Sequence, residues 1–320
     1  MRTRHHRPGF CALALLIACL IPLTACSRSP MEIDGVPIDP AAYRLAYHNA
    51  RYEAAIAQSA SGSSALHARA RQLCAKSVAV EQLCEEYGLT LTENEQNYVS
   101  NLTDTMWPSI GETYQANGID KETWRAYLAT VTLQADLFEH LSRTGGELAW
   151  PDGILRDEYT RRFAKVEYIH LPIEDLLTRN FTAEEIQQLA EDALEDLRGG
   201  DSMEAVLGSL QEAIDDATNA NLFLAEVWID TDQDETGTYS EPFRQSLQKA
   251  PAGASGIYET NLFLLVYRTM AEFETDAAFA KERTQVIRTL CYPEFEAYLD
   301  DIAAGYEIKH PYGNSIIPKL

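Results

Sequence analysis

An acidic stretch in the second half of the chain has the spacing of a calcium-binding loop. The run Asp230-Thr-Asp-Gln-Asp-Glu-Thr-Gly237 continues to Glu241, so acidic residues occupy positions 1, 3, 5 and 12 as in an EF-hand loop. The glycine that such a loop requires at position 6 is replaced by Glu235, and a strand pattern precedes the stretch instead of a helix. The pattern favours a solvated acidic loop, with calcium binding as the alternative.

The cysteines form no metal-binding or redox pattern. Cys74 and Cys84 lie on one predicted helix and are separated by a rise of about 15 Å, so they are too far apart to form a disulfide. A bridge from either of them to Cys291 is possible, but we expect buried free thiols. Because the sequence also contains no Ser-His-Asp, Walker or zincin pattern, we expect neither a metal nor a cofactor.

The N-terminus has the composition of an export leader. Three arginines precede the apolar stretch Phe10–Leu23, which is too short to span a bilayer comfortably. The next residues complete Leu23-Thr-Ala-Cys26, which is similar to the bacterial lipobox, where the cysteine is lipidated and becomes the new N-terminus. We therefore expect residues 1–25 to be removed and Cys26 to anchor an extracytoplasmic protein to the bacterial cell membrane. An ordinary signal peptide is the alternative.

The chain is strongly acidic. Its 320 residues include 49 Asp and Glu against 26 Lys and Arg, which gives a formal net charge of −23. This composition argues against binding to nucleic acid, which needs basic patches, and against electrostatic adsorption to anionic lipid. A well-solvated secreted surface is the simplest interpretation, and a preference for basic or unfolded polypeptides is the alternative.

A predicted strand at Ala164–Pro172 begins the central part of the chain. β-Branched and aromatic residues alternate in it, which places Val166, Tyr168 and His170 on one face. The later elements are two helices, a strand at 225–229, a short helix around Phe243 and a strand at 262–268. The predicted order is therefore β-α-α-β-α-β.

Helical patterns dominate on both sides of this central part. Pro108 is expected to end one early helix, and Pro293 is expected to kink or break the last one. The apolar residues Val286, Leu290 and Leu299 have no partner in their own segment, so the last helix is predicted to pack on the early helices. These patterns predict an α+β protein with a helical domain at 26–163, an inserted domain at 164–272 and a returning helix and tail at 273–320.

This order of elements, with Gly-Gly after the first helix and a Pro-Phe helix before the last strand, resembles the parvulin prolyl isomerase domain. The helical frame resembles the extracytoplasmic foldases and chaperones of the PrsA and SurA group, over roughly residues 31–320. The resemblance implies that the partners are unfolded or nascent secreted polypeptides. It also implies an apolar slot for proline beside polar groups that favour the twisted amide, because rotation about an X–Pro bond has a barrier of about 18–20 kcal/mol.

The resemblance assigns substrate-binding roles to several aromatic residues. The slot pair of the family falls on Tyr239 and Phe243, within Tyr239-Ser-Glu-Pro-Phe243. The histidine of the first strand falls on Tyr168, with His170 two residues further on the same face. The histidine of the last strand falls on Phe263.

The remaining family positions fall on Trp228, Asp216 and Thr260. Trp228 stands at the aromatic position of the second strand, and Asp216 and Thr260 stand at the acidic and hydroxyl positions, which would be catalytic. Since both histidines are replaced, we expect a membrane-anchored folding factor whose isomerase activity is weak or lost. The alternatives are an active isomerase that works through Asp216 and Thr260, and a solute-binding or adhesive surface lipoprotein.

Overall fold

The computed structural model describes residues 31–59, 62–214, 221–234, 237–271, 273 and 275–309. Long helices are combined with two small antiparallel sheets, which confirms the α+β class. Two compact units are present: one contains the described residues up to Leu137 and those from Tyr298 onward, and the other is Phe138–Ala297. Among the described helices, none combines the length and the apolar composition needed to traverse a bilayer.

The strands in chain order are β1 (Met31–Ile33), β2 (Val36–Ile38), β3 (Phe163–Pro172), β4 (Phe223–Asp230), β5 (Ser255–Glu259), β6 (Phe263–Thr269) and β7 (Ile308–Lys309). The helices are α1 (Pro40–Ile56), α2 (Ser63–Tyr87), α3 (Glu93–Ala116), α4 (Lys121–Ser142), α5 (Asp152–Arg162), α6 (Ile173–Thr178), α7 (Ala183–Gly199), α8 (Met203–Ala213), α9 (Glu241–Lys249) and α10 (Asp276–Ala304).

In the first unit, β1 lies between β2 and β7 and is antiparallel to both. The carboxylate of Asp39 accepts hydrogen bonds from the first backbone N–H groups of α1, and Pro40 occupies the first helical position. Apolar residues of β1, β2, α1, α2 and the end of α10 form the core: Met31, Ile33, Ile38, Tyr43, Ala46, Ala70, Cys74, Ala75, Val78 and Ala303.

The end of α10 is an integral part of this unit. Asp300 forms an ion pair with Lys76 at 2.9 Å. Just beyond the helix, the hydroxyl of Tyr306 lies 2.7 Å from Oε1 of Gln82 and donates a hydrogen bond to it. Both partners lie on α2, so residues near the end of the described chain close the core that the first strands begin.

Two helices continue through prolines that were expected to interrupt them. α3 passes Pro108 and ends at Ala116, and α10 includes Pro293 without a break in the helix. A proline costs a helix one backbone hydrogen bond, but tertiary packing on both sides can outweigh that loss. Cys291 and Phe295, on either side of Pro293, are both fully buried.

The second unit contains a four-stranded antiparallel sheet in the order β4-β3-β6-β5. The prediction missed β5, which is only five residues long and includes Gly256, and it missed the short helix α6. Helices α6, α7 and α8 cover one face of the sheet, where Ile169 and Leu171 of β3 meet the apolar stripe of α7. α9 packs on the other face.

The cysteines of the described chain are buried free thiols: Cys74, Cys84 and Cys291. Burial raises the pKa of Cys74 to about 12 and those of Cys84 and Cys291 to about 11. All three are therefore protonated at neutral pH and poor nucleophiles.

Candidate functional site

Aromatic residues from four strands, from α9 and from the segment just before α9 lie together on the face of the sheet that carries α9. They form the sheet aromatic cluster: Tyr168, His170, Phe223, Tyr239, Phe243, Tyr258, Phe263 and Tyr267. Strand register explains the grouping, because Tyr168 is paired with Tyr267, and His170 with Phe223. Residues paired across strands point to the same face of a sheet.

One end of the cluster is buried beneath α9. The ring of Phe243 stacks on that of Tyr258 with centroids 4.1 Å apart and meets Tyr267 edge-on at 5.2 Å. Tyr239 lies 5.9 Å from Phe243. A Cβ atom at Gly256 would lie 2.8 Å from the hydroxyl of Tyr267, so the glycine allows that ring to lie across β5.

The other end of the cluster is partly open to solvent. The imidazole of His170 stacks on Phe223 at 4.8 Å and contacts Phe263 at 5.2 Å, while Phe223 remains 45% exposed. Nδ1 of His170 is buried without a hydrogen-bond partner. Burial lowers the pKa of His170 and outweighs the opposing effects of the Asn221 backbone and the Asp175 charge. The imidazole is therefore neutral at neutral pH.

The hydroxyl groups of the buried end have partners within the protein. Tyr168 and Tyr239 share a side-chain hydrogen bond, and burial, followed by the influence of Tyr168, raises the pKa of Tyr239 to about 12. The hydroxyl of Tyr258 donates to the carbonyl of Thr238 and accepts from the backbone N–H of Ser240. Tyr258 thus fastens the start of α9 to the sheet.

The structure brings five of the predicted substrate-binding residues together and separates the sixth. Tyr168, His170, Tyr239, Phe243 and Phe263 all belong to the sheet aromatic cluster.

Trp228, the sixth, is paired with Lys165 and points to the opposite face of the sheet. There it contacts Tyr159 at 4.9 Å and Phe273 at 5.1 Å. Since β4 alternates sides, Trp228 cannot share a face with Phe223.

Of the two predicted catalytic residues and the predicted lipidation site, the structure describes only Thr260. Thr260 is engaged in the turn between β5 and β6, where its hydroxyl donates to the carbonyl of Phe263 and accepts from the backbone N–H groups of Leu262 and Phe263. Asp216 and Cys26 lie outside the described residues.

Sequence reasoning missed three members of the cluster. Tyr267 could have been found, because it lies four residues after Phe263 in one strand and so points to the same face. Phe223 precedes the predicted start of its strand, and Tyr258 lies in the strand that was not predicted.

Two carboxylates of the acidic stretch, those of Asp230 and Asp234, are engaged by the protein itself. Asp230 accepts a hydrogen bond from Nε of Arg162 at 2.9 Å and also accepts from two backbone N–H groups of the following turn. Asp234 accepts from the backbone N–H groups of Gly237 and Tyr239. Among the described residues, which exclude Glu235, no three His, Cys, Asp or Glu side chains converge as a metal site would require.

No protein-family model matches the chain, and no curated protein matches its sequence. The chain is similar in structure to PrsA proteins of three bacteria. That of Bacillus subtilis is 11% identical with a TM-score of 0.33, over 81% of this chain and 84% of that one. The foldase protein PrsA of Lactococcus lactis is 13% identical with a TM-score of 0.38, over 87% and 91%. The foldase protein PrsA of Streptococcus pneumoniae is 10% identical with a TM-score of 0.40, over 73% and 82%.

Proposed function

We propose that the protein is a folding factor that binds unfolded polypeptides, with the sheet aromatic cluster as a peptide-binding surface. The observation that carries the proposal is the unbroken series of ring contacts from the exposed Phe223 to the buried Phe243. Flat apolar surfaces of this kind suit proline rings and apolar side chains, whose burial contributes about 25 cal/mol per Å².

The two ends of the cluster suit different parts of a bound peptide. At the buried end, Tyr239, Phe243 and Tyr258 form the side of the slot that would hold a proline ring. At the open end, His170, Phe223 and Phe263 would cover the neighbouring residues. Tyr168 lies between the ends, with its ring near Phe223 and its hydroxyl bonded to Tyr239.

Isomerase activity in this site should be weak. A twisted amide is stabilised by preorganised hydrogen-bond donors, and the loss of one donor commonly costs about 10²–10³ in rate. Here the hydroxyls of Tyr258 and Thr260 already donate to backbone carbonyls of the protein. Binding rests on apolar contact and does not need those groups.

An active isomerase is the second candidate, and one observation favours it. Nδ1 of His170 has no protein partner and its ring stacks on the exposed Phe223, so a bound peptide that displaced Phe223 could supply one. Asp216 remains the candidate for the acidic catalytic group. Turnover of a proline tetrapeptide at the rate of ordinary parvulins, in a protease-coupled assay, would favour this function over passive binding.

The clients that we propose are unfolded or nascent secreted polypeptides. Such clients follow from an extracytoplasmic location, with the chain anchored to the cell membrane through acylated Cys26. The excess of acidic residues in the chain would keep the folding factor soluble while its apolar cluster is exposed.

The test uses the mature chain and the variant Phe223→Ala, because an exposed side chain can be removed without disturbing the core. Suppression of aggregation should be followed by light scattering of a chemically unfolded protein after dilution, and peptide affinity by calorimetry with a proline tetrapeptide. We expect wild type to suppress aggregation and Phe223→Ala to weaken peptide binding by about 1–2 kcal/mol.

Tyr98→Ala is the matched control, since Tyr98 is an exposed aromatic residue of the first unit that lies outside the cluster. It should behave as wild type. If wild type fails to suppress aggregation and binds no peptide, the proposed function is wrong, and a solute-binding or adhesive role becomes the better explanation.

A further inference from the structure

β4 is an outer strand of the four-stranded sheet, at the edge opposite to β5. Its pairing with β3 is continuous over eight residues, from Phe223 to Asp230, and β4 contains no proline. β5 forms the other edge and has only five residues, one of which is Gly256. β4 is therefore the longer and more regular of the two edges at which a further strand could pair.

Hydrogen bonding alternates along β4, so the backbone groups that point away from the sheet can be identified. Thr231, the residue after β4, donates its N–H to the carbonyl of Arg162. Counting back in steps of two, the odd-numbered residues of β4 bond to β3 and the even-numbered residues face outward. The carbonyl of Lys165 accepts from the N–H of Met270, which assigns the odd-numbered residues of β3 to β6 and agrees with this alternation.

Three outward-facing residues of β4 have backbone groups without a partner. Within the described part of the chain, no hydrogen bond involves the backbone N–H or C=O of Leu224, Glu226 or Trp228. Glu226 is exposed, and the other two residues are partly exposed. The unpaired groups recur every two residues, at about 6.8 Å. An extended peptide has the same repeat, so it can pair with all of them at once.

A strand added beside β4 would extend both faces of the sheet. Residues opposite Phe223 would lie at the open end of the sheet aromatic cluster, where the ring of Phe223 is 45% exposed. Residues opposite Glu226 and Trp228 would lie on the other face. The outer edge of β4 is thus continuous with the surface that we propose for peptide binding.

Charge distinguishes between a second copy of the chain and a peptide as the added strand. In an antiparallel pair of β4 strands centred on Glu226, two glutamates would face each other, and each chain carries a formal net charge of −23. Glu226 forms an ion pair with Lys165 at 2.6 Å, but its side chain remains 48% exposed. Because a carboxylate has two oxygens, Glu226 can accept a further cation. The edge therefore favours a peptide with a lysine or arginine opposite Glu226.

We propose that a segment of an unfolded polypeptide binds as an added strand, antiparallel to β4, with its backbone bonded to Leu224, Glu226 and Trp228. This inference rests on the proposed function and specifies the conformation and composition of the bound segment. Its residues alternate, with apolar side chains beside Phe223 and Ala225 and a basic side chain beside Glu226. The antiparallel direction is expected because parallel pairing is slightly less stable per residue.

The experiment titrates the full mature chain by calorimetry with acetyl-Val-Lys-Phe-Thr-Val-Thr-amide and with two N-methylated forms of it. One form is methylated at Lys and the first Thr, whose N–H groups face β4 in the proposed arrangement. The other is methylated at Phe and the second Val, whose N–H groups face solvent. We expect the first form to bind at least about tenfold more weakly than the unmethylated peptide, and the second to bind as tightly as it does.

Two variants at one position separate the backbone contact from the side-chain contact. Glu226→Ala removes the carboxylate and should weaken binding about two- to fivefold at low ionic strength. Glu226→Pro also removes an N–H that β3 does not use, and should weaken binding by a further factor of about three to ten.

Glu259→Pro is the control for the proline substitution. Glu259 is the exposed last residue of β5, and the next residue, Thr260, donates its N–H to the carbonyl of Phe263. The N–H of Glu259 therefore faces away from β6, as that of Glu226 faces away from β3. Glu259→Pro should leave peptide binding unchanged.

Several results would overturn the inference. Equal affinities of the two methylated peptides, or no binding of the unmethylated peptide, would exclude an added strand. Equal binding by Glu226→Pro and Glu226→Ala, with melting curves showing that both are folded, would place the peptide elsewhere. A wild-type dimer in sedimentation velocity that becomes monomeric in Glu226→Pro would assign the edge to a second copy. In any of these cases, binding of the proline tetrapeptide that Phe223→Ala weakens would still support the proposed function.

Discussion

At the scale of single residues, the sheet aromatic cluster keeps its apolar contacts and has few polar atoms to offer a substrate. Tyr258 and Thr260 donate their hydroxyl protons to backbone carbonyls. His170 is the exception, since its Nδ1 is buried and has no partner. The polar chemistry of the site therefore depends on the protonation and hydrogen bonding of the His170 imidazole.

The pH dependence of stability should reveal the burial of His170. Its pKa is lowered below the ordinary value of 6.5 by burial, so the unfolded chain binds a proton more readily than the folded one. Above pH 6.5 His170 is neutral in both states, and the folded protein has its full free energy of unfolding. As the pH falls from 6.5 toward the lowered pKa, the unfolded chain takes up the proton first and the free energy of unfolding decreases. We expect His170→Phe to reduce the loss of stability in that range, as measured by denaturant unfolding at several pH values.

His48 and His67, whose pKa values are also lowered by burial, act in the same direction and will preserve part of the slope. The measurement is therefore the difference between wild type and variant in how the free energy of unfolding changes with pH, and not the change in either protein alone. An identical pH profile for the two proteins would mean that His170 titrates alike in the folded and unfolded chains.

At the scale of elements, the packing of the buried end of the cluster depends on the pairing of β5 with β6. Gly256 is paired with Tyr267, and the missing side chain leaves room for the tyrosine ring to reach Phe243. β5, which the sequence did not predict, therefore determines where the ring of Tyr267 lies at the buried end of the cluster.

Gly256→Ala should destabilise the second unit. The added methyl would lie 2.8 Å from the hydroxyl of Tyr267 and about 3 Å from its ring, so the ring or the strand must shift, at a cost of about 1–3 kcal/mol. Thermal melting measures the loss. Gly208→Ala, in the interior of α8 with open space at the Cβ position, is the control and should instead stabilise by up to about 1 kcal/mol. Equal effects of the two substitutions would show that the approach of Tyr267 is not constrained.

At the scale of the whole molecule, the last described residues return to the unit in which the described residues begin. β7 pairs with β1, Ala303 enters the core, and Asp300 pairs with Lys76. The predicted domain limits after residues 163 and 272 stay a prediction. They would be tested by whether the separate segments fold independently.

Truncation after Glu272 should therefore unfold the first unit or lower its melting temperature sharply, because β1 loses a neighbour and α2 loses its ion pair. Circular dichroism during heating measures the effect. A chain that ends at Lys309 keeps β7 and α10 and is the control, expected to melt as wild type. Cooperative melting of the shorter chain at the wild-type temperature would contradict the role given to α10.

The proposed anchoring of the chain through Cys26 also belongs to this scale. Cys26→Ala should leave the leader uncleaved by the lipoprotein peptidase and abolish acylation, as measured by intact mass after membrane extraction. Cys74→Ala, which alters a buried thiol, should be acylated as wild type. An unmodified wild-type chain that begins at another residue would contradict lipidation.

The sequence by itself determined the features that depend on local geometry. The alternation of β3 predicted that Tyr168 and His170 share a face, because successive side chains of a strand point in opposite directions. The spacing of Thr182 and Glu185 is that of a capping box and marks the start of α7 in the sequence alone, because a cap involves only neighbouring residues. The α+β class followed from such periodicities.

Only the tertiary structure decided what depends on pairing between distant segments. Trp228 was grouped with the slot residues, but the register between β3 and β4 turns it to the other face, and a shift of one residue would reverse that orientation. The stacking of Phe223 on His170 depends on the pairing of β4 with β3, which are separated along the chain by three helices. α3 continues through Pro108, and its Trp107 and Tyr114 pack in a cluster with residues of α1 and α4. In each case the deciding energy comes from contacts between segments far apart in the chain, which no local pattern records.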